Sequence, residues 1–185
     1  ELHEIPPNGQ GLMALISLGI LEQCHGKDLA LDSADSVHLQ IEAQRIAYAD
    51  AERHLADIAH MRTSIDALLD ETYLKERAHS INLRTANPHP TALGTAPDTV
   101  YLTTADASGM MVSMIQSNFR GFGSGIVVPD TGISLQNRGS GFVLEDGHPN
   151  QVGPGKRPYH TIIPGFITRN NQPFMGFGVM GGHMQ

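Results

Sequence analysis

The chain has 185 residues, with 19 acidic against 12 basic side chains and a net charge of −7. At 40% apolar residues it is globular rather than disordered, and it is long enough to bury one substantial core or two small ones. The acidity excludes a nucleic-acid partner, which needs a concentrated basic patch that Lys156-Arg157 is too short to form, and no apolar run reaches the ~18 residues of a membrane span.

Residues 1–85 read as helical. The chain opens Glu1-Leu2-His3-Glu4-Ile5, with neither an initiating Met nor the basic start and apolar run of a signal peptide, so cytoplasm and periplasm both stay open. Pro6 to Gly11 is an irregular lead-in. Leu12, Leu15, Ile16 and Ile20 then form a helical stripe, widened by Leu18 and Leu21, which ends at Gly26-Lys27-Asp28. Gly19 lowers helix propensity but permits close packing. The single cysteine, Cys24, lies on this apolar stretch and reads as a core thiol rather than a nucleophile; it has no intrachain partner for a disulfide. A second helix is predicted from about Ser36 to Ala56 on Leu39, Ala43, Ile46 and Ala47, with Glu42 and Arg45 as an i,i+3 pair, either a solvated surface bridge or part of a helical layer, and scaffold in both cases. A third is predicted from about Ser64 to Ala78, with Ser64 as N-cap and Ile65, Leu68, Leu69 and Leu74 as apolar positions.

After Ser80 charge falls while Pro, Thr and Asn rise, which marks residues 86–98 as a linker. Residues 99–185 are glycine-rich and β-rich, with strands predicted at 99–105, 110–117, 133–135, 160–168 and 173–179. A helical half followed by short strands gives an α+β fold class, the three segments being parts of one domain.

The chemistry centres on the hairpin. Two β-rich runs flank a turn at Asp106-Ala107-Ser108-Gly109, and the linker ends directly on Thr99, which opens the first run. That layout suits a chain cut between Asp98 and Thr99. The new α-amine, with a pKa near ~8, can then serve the threonine hydroxyl as general base. Gly121-Phe122-Gly123-Ser124-Gly125 lacks the Gly-Lys-Ser/Thr ending and following helix of a phosphate loop. His148, His160 and His183 fit no compact zinc pattern, so neither a metal nor a cofactor is expected.

Several stretches in order carry a resemblance: Pro6 to Gly11, Ile41 to Arg45, Thr99 to Asp106, Gly121 to Gly125, Gly132 to Asn137, Gly155 to Pro158, and Gly181-Gly182. Together they resemble the γ-glutamyltranspeptidases, within the N-terminal-nucleophile hydrolases, over nearly the whole chain. The resemblance implies a fragment of an αββα sandwich: residues 1–85 from the end of a large subunit, residues 99–185 from the start of a small one, and association with the rest of both. Self-association is left open. It implies Thr99 as nucleophile, first against the carbonyl of Asp98 and then against a small-molecule γ-glutamyl or glutaryl-type amide. Ser117 would orient it, and the backbone N–H groups of Gly181 and Gly182 would form the oxyanion hole.

The sequence departs from the family at the substrate-binding positions. Arg138 and Gly141 stand where the family has Gln and Asp for the glutamyl ammonium. Phe119 replaces Asn, and His160-Thr161 replaces a Ser-Ser pair that holds a carboxylate. An arginine repels an ammonium but grips a carboxylate through its planar fork. This points toward the cephalosporin-acylase-like branch and a glutaryl-type acyl group. The short run Leu144 to Asn150 leaves no room for the family's substrate lid, which favours hydrolysis by admitting water. The alternative reading is an uncut, catalytically silent precursor with a structural or binding role.

Overall fold

A computed structural model describes residues 1–87 and 99–182. Asp98, most of the predicted linker and His183 lie outside the described residues.

The first half is a helical layer. Helix α1 (Gly11–Gln23) buries Leu12, Met13, Ile16 and Ile20, while Leu18 is exposed. Helix α2 (Ala34–His54) starts where the Ser33 side chain accepts the N–H of Ser36, and it packs Ala43, Ile46 and Ala47 into the same cluster. The predicted third helix is two. Ser64 caps α3 (Ile65–Leu68). The Asp70 carboxylate then accepts the N–H groups of Thr72 and Tyr73 and opens a new helix, α4 (Glu71–His79). Gly19 lets α4 approach α1, since a Cβ there would lie 2.6 Å from Leu74. Arg77 clamps α4 to α2 by donating through Nε at 3.1 Å and Nη2 at 2.6 Å to the two oxygens of Asp50. Cys24 packs beside this core, and burial pushes its thiol pKa up, as suits a packed rather than a reactive sulfur.

One surface assignment is corrected. Glu42 is buried, not solvated. Its Oε1 accepts from Arg45 at 3.1 Å and its Oε2 accepts the backbone N–H of Asn87 at 3.0 Å. The second contact spans 45 positions and is invisible to helical spacing.

The second half forms two sheets. Strand β2 (Thr99–Ala105) pairs antiparallel with β3 (Met111–Ser117), in register from Thr99–Ser117 to Ala105–Met111. Asp106 closes the turn by accepting the N–H groups of Ser108 and Met110. The other sheet has the order β1-β4-β5, with β4 (Pro164–Arg169) between β5 (Gln172–Gly178) and β1 (Leu2–His3). Strand β1 went unpredicted because two residues carry no periodic signal. The expected strand at 133–135 is only an isolated bridge, Val127 to Ser134, inside a turn-rich loop. Residues 160–163 precede β4 instead of belonging to it: the N–H of His160 goes to the carbonyl of Asn8, ahead of α1.

The sheets lie against each other. Ser113 Oγ donates to the carbonyl of Phe177 at 3.2 Å. A Cβ at Gly178 would lie 2.4 Å from the Tyr101 ring, so glycine is required for that approach. Val100, Leu102, Val112 and Met114, on the other face of the hairpin, are exposed. Among the described residues no helix is long and apolar enough to cross a membrane.

Candidate active site

Thr99 and Ser117 form the cross-strand pair at the open end of the hairpin. Register alone brings their side chains to one face. Thr99 Oγ1 donates to Ser117 Oγ at 3.1 Å, and Ser117 Oγ also accepts the N–H of Phe119 at 2.9 Å. The serine hydroxyl is thus held as an acceptor for the threonine proton.

The chain turns sharply after Ser117. Phe119 has φ of 78°, a left-handed conformation unfavourable for a bulky side chain. Asn137 staples this turn: its N–H donates to the carbonyl of Asn118, its Oδ1 accepts from Arg120 N–H at 3.0 Å, and its Nδ2 donates to the Arg120 carbonyl at 3.2 Å. Residue 138 follows directly, so the staple sets Phe119 beside Arg138. The Phe119 ring is buried, with the guanidinium carbon of Arg138 4.5 Å from its centroid.

Arg138 is 2% exposed. Its Nη1 donates to the Thr161 hydroxyl at 2.8 Å, and its Nε is buried without an acceptor. Burial lowers its pKa to about 10, which leaves it cationic at neutral pH. His160 lies nearby; burial, then the charge of Arg138, lowers its pKa to about 4, so the imidazole is neutral at pH 7. Its Nδ1 accepts the N–H of Ile162 at 3.3 Å, which leaves the proton on Nε2. The segment is anchored from the helical half, by Asn8 Nδ2 on the Pro158 carbonyl at 2.5 Å and by Tyr159 hydroxyl on Gln10 Oε1 at 2.6 Å.

Gly141 has no space for a side chain: a Cβ would meet the Tyr159 carbonyl oxygen at 2.9 Å. Gly181 and Gly182 follow β5, and Gly182 has φ of 65°. Gly176 abuts Thr103 and Gly178 abuts Tyr101, so β5 runs toward the Thr99 end of β2 and carries the glycine pair that way.

Thr99, Ser117, Phe119, Arg138 and Thr161 are therefore linked by direct contacts, with His160 beside them. Asp98 lies outside the described residues. Asn8 and Asn137 were not singled out by sequence, although both sit in ordered motifs, Pro6 to Gly11 and Gly132 to Asn137. Among the described residues no group of three His, Cys, Asp or Glu side chains is placed to hold a metal. His148 instead contacts the Glu52 carbonyl and accepts the N–H of Asn150.

The family model described as gamma-glutamyltranspeptidase matches residues 1–185. The chain is 39% identical over 184 residues to the oxamate amidohydrolase proenzyme of Klebsiella pneumoniae subsp. pneumoniae, covering 100% of this chain and 34% of that protein. It is 35% identical to the glutathione hydrolase-like YwrD proenzyme of Bacillus subtilis, over 100% of this chain and 35% of that protein. The solved structure of a cephalosporin acylase from Bacillus halodurans superposes with a TM-score of 0.85 at 49% identity, over 100% of this chain and 33% of that one. The chain thus spans about a third of the length of the curated relatives it matches.

Proposed function

The chain belongs to the γ-glutamyltranspeptidase family, with the α+β fold of N-terminal-nucleophile hydrolases, and from that premise we propose that it carries the self-processing and acyl-transfer centre of an amidohydrolase. Residues 1–85 correspond to the end of the large-subunit-like part and residues 99–185 to the start of the small-subunit-like part. The rest of the protein completes both.

The observation that carries this reading is the hydroxyl pair of Thr99 and Ser117, 3.1 Å apart where the hairpin opens. In processing, Thr99 Oγ1 attacks the Asp98 carbonyl carbon and the peptide C–N bond breaks as the amide nitrogen takes a proton. Water then hydrolyses the ester, leaving an Asp98 carboxylate and a free Thr99 amine. In turnover that amine removes the hydroxyl proton as Oγ1 attacks a substrate amide, and passes it to the departing amine. The N–H groups of Gly181 and Gly182 receive the oxyanion. Water or an acceptor amine resolves the acyl-threonine ester.

The acyl group carries a second carboxylate, taken by Arg138 with Thr161 and His160. The vacant Nε of Arg138 and the lack of space at Gly141 support a glutaryl-type group over a γ-glutamyl one.

The test is the full-length protein beside its Thr99→Ala variant, read by intact mass and N-terminal sequencing. The parent is expected to give a piece beginning Thr-Val-Tyr-Leu and to hydrolyse glutaryl anilides, and the variant to do neither. A variant that is still cut before residue 99 would overturn the assignment.

A further inference from the structure

We propose that Phe119 is a specificity-determining positioning residue, whose ring holds the Arg138 guanidinium in the plane that presents its Nε edge to a substrate carboxylate. The inference rests on the carboxylate reading above and adds a residue that acts through the arginine.

The backbone of Phe119 is costly to hold. A phenylalanine at φ of 78° persists only where its surroundings over-determine it. Here they do so twice: the Asn137 staple fixes residues 118 and 120 on either side, and Ser117 Oγ takes the Phe119 N–H. Glycine would satisfy those backbone contacts without strain, so they do not account for the ring.

The ring's contacts include two arginines. Arg138 lies over its face at 4.5 Å, and the exposed Arg120 lies at 5.1 Å. A guanidinium stacked on an aromatic face keeps its in-plane N–H groups available. Of these, Nη1 is committed to Thr161, while Nε is buried and has no acceptor. Among the described residues no carboxylate lies within ion-pair distance of Arg138, whereas Arg45, Arg77 and Arg157 each have one. A buried cation with a vacant edge and an aromatic backing is arranged for an anion from outside. The same phenylalanine meets the nucleophile's partner through its N–H, so one residue spaces the acyl carboxylate from the attacking oxygen.

The test uses the full-length cut enzyme and three p-nitroanilides: glutaryl, γ-glutamyl and butyryl. Phe119→Leu keeps the backbone N–H and apolar bulk but loses the π face. Phe119→Tyr restores the face. Phe174→Leu removes an unrelated arginine–phenyl stack, with Arg169, at the β4–β5 turn. In Phe119→Leu the preference for glutaryl over butyryl should fall roughly 3- to 30-fold, the range of a partly desolvated cation–π contact, with the loss in KM rather than kcat. Phe119→Tyr should recover it and Phe174→Leu should keep it. Self-cleavage before Thr99 reports that each variant folds. If the parent prefers glutaryl and Arg138→Gln abolishes that preference while Phe119→Leu retains it, the positioning role is overturned and the carboxylate reading stands. An equal kcat loss on all three anilides would also overturn it, as a merely structural effect. A parent that prefers butyryl or γ-glutamyl substrate would overturn both.

Discussion

Ser117 and Phe119 are joined by a hydrogen bond between the serine hydroxyl and the phenylalanine N–H, 2.9 Å long, across the turn beside the candidate nucleophile. That bond occupies one acceptor site of Ser117 Oγ, and Thr99 occupies another. Removing the hydroxyl therefore frees the Thr99 side chain and strips the turn of its brace.

Ser117→Ala should slow self-cleavage about 10- to 100-fold, the range set by leaving hydrogen-bonding groups unpaired. Ser117→Thr keeps the hydroxyl and should cut at near the parental rate. Time courses of intact mass measure both. Cleavage of the alanine variant at the parental rate would remove Ser117 from the mechanism.

The pH profile separates the base from the imidazole beside it. For the cut enzyme, kcat/KM should rise with pH through a single limb near ~8, the range of a free α-amine. His160 is already neutral there, because its pKa is lowered to about 4. The sign for stability follows from the same depression. Between about 4 and the ordinary 6.5 the unfolded chain binds more protons, so stability falls as acid is added through that window. His160→Asn should flatten this acid loss in thermal melts while the alkaline limb keeps its midpoint. A limb that moves with His160→Asn would make the imidazole the base.

Restoring the family residues should fail for a steric reason. In Arg138→Gln/Gly141→Asp the new Cβ at 141 meets the Tyr159 carbonyl at 2.9 Å. The double variant should lose about 1–3 kcal/mol of stability, as overpacked sites do, and should not gain γ-glutamyl turnover. Melting temperature and anilide kinetics check this. A stable variant with γ-glutamyl activity would show that the loop yields.

Much of this site was legible in the sequence, and its failures have physical causes. The Thr99–Ser117 pair was expected from the resemblance, and the hairpin register brings the two hydroxyls together. Residue type alone makes position 138 cationic, which argues against an ammonium there. What the sequence withheld was what surrounds that charge: the Phe119 ring lies 19 positions earlier and reaches it across the turn that Asn137 staples. The third helix was read as one because Leu69 kept the apolar rhythm, while the Asp70 cap that splits it acts through its side chain. Glu42 looked solvated because its partner, Asn87, belongs to no helical period.

Glu4 gives a prediction on stability. Its carboxylate oxygens are buried without partners beside Gly11 and Gly165, and burial raises its pKa to about 7. The folded chain holds this proton more tightly than the unfolded one, so stability falls as pH rises from about 4.5 to about 7. At this half-buried residue, solvent screening reduces the effect to about 1 kcal/mol. Glu4→Gln should raise Tm by about 2–4 °C at pH 8 and scarcely at pH 5. An equal rise at both values would assign the gain to packing rather than to the proton.

The buried clasp between Glu42 and Asn87 makes the proposed scission a one-ended release. Twelve peptide steps separate Asn87 from Thr99. Once the bond before Thr99 is cut, the new carboxyl terminus is joined by the chain to Asn87, which is bound to Glu42 on α2. At about 3.3–3.6 Å per residue its full reach is at most about 40 Å. Contour length would therefore hold the product of the proposed scission near α2.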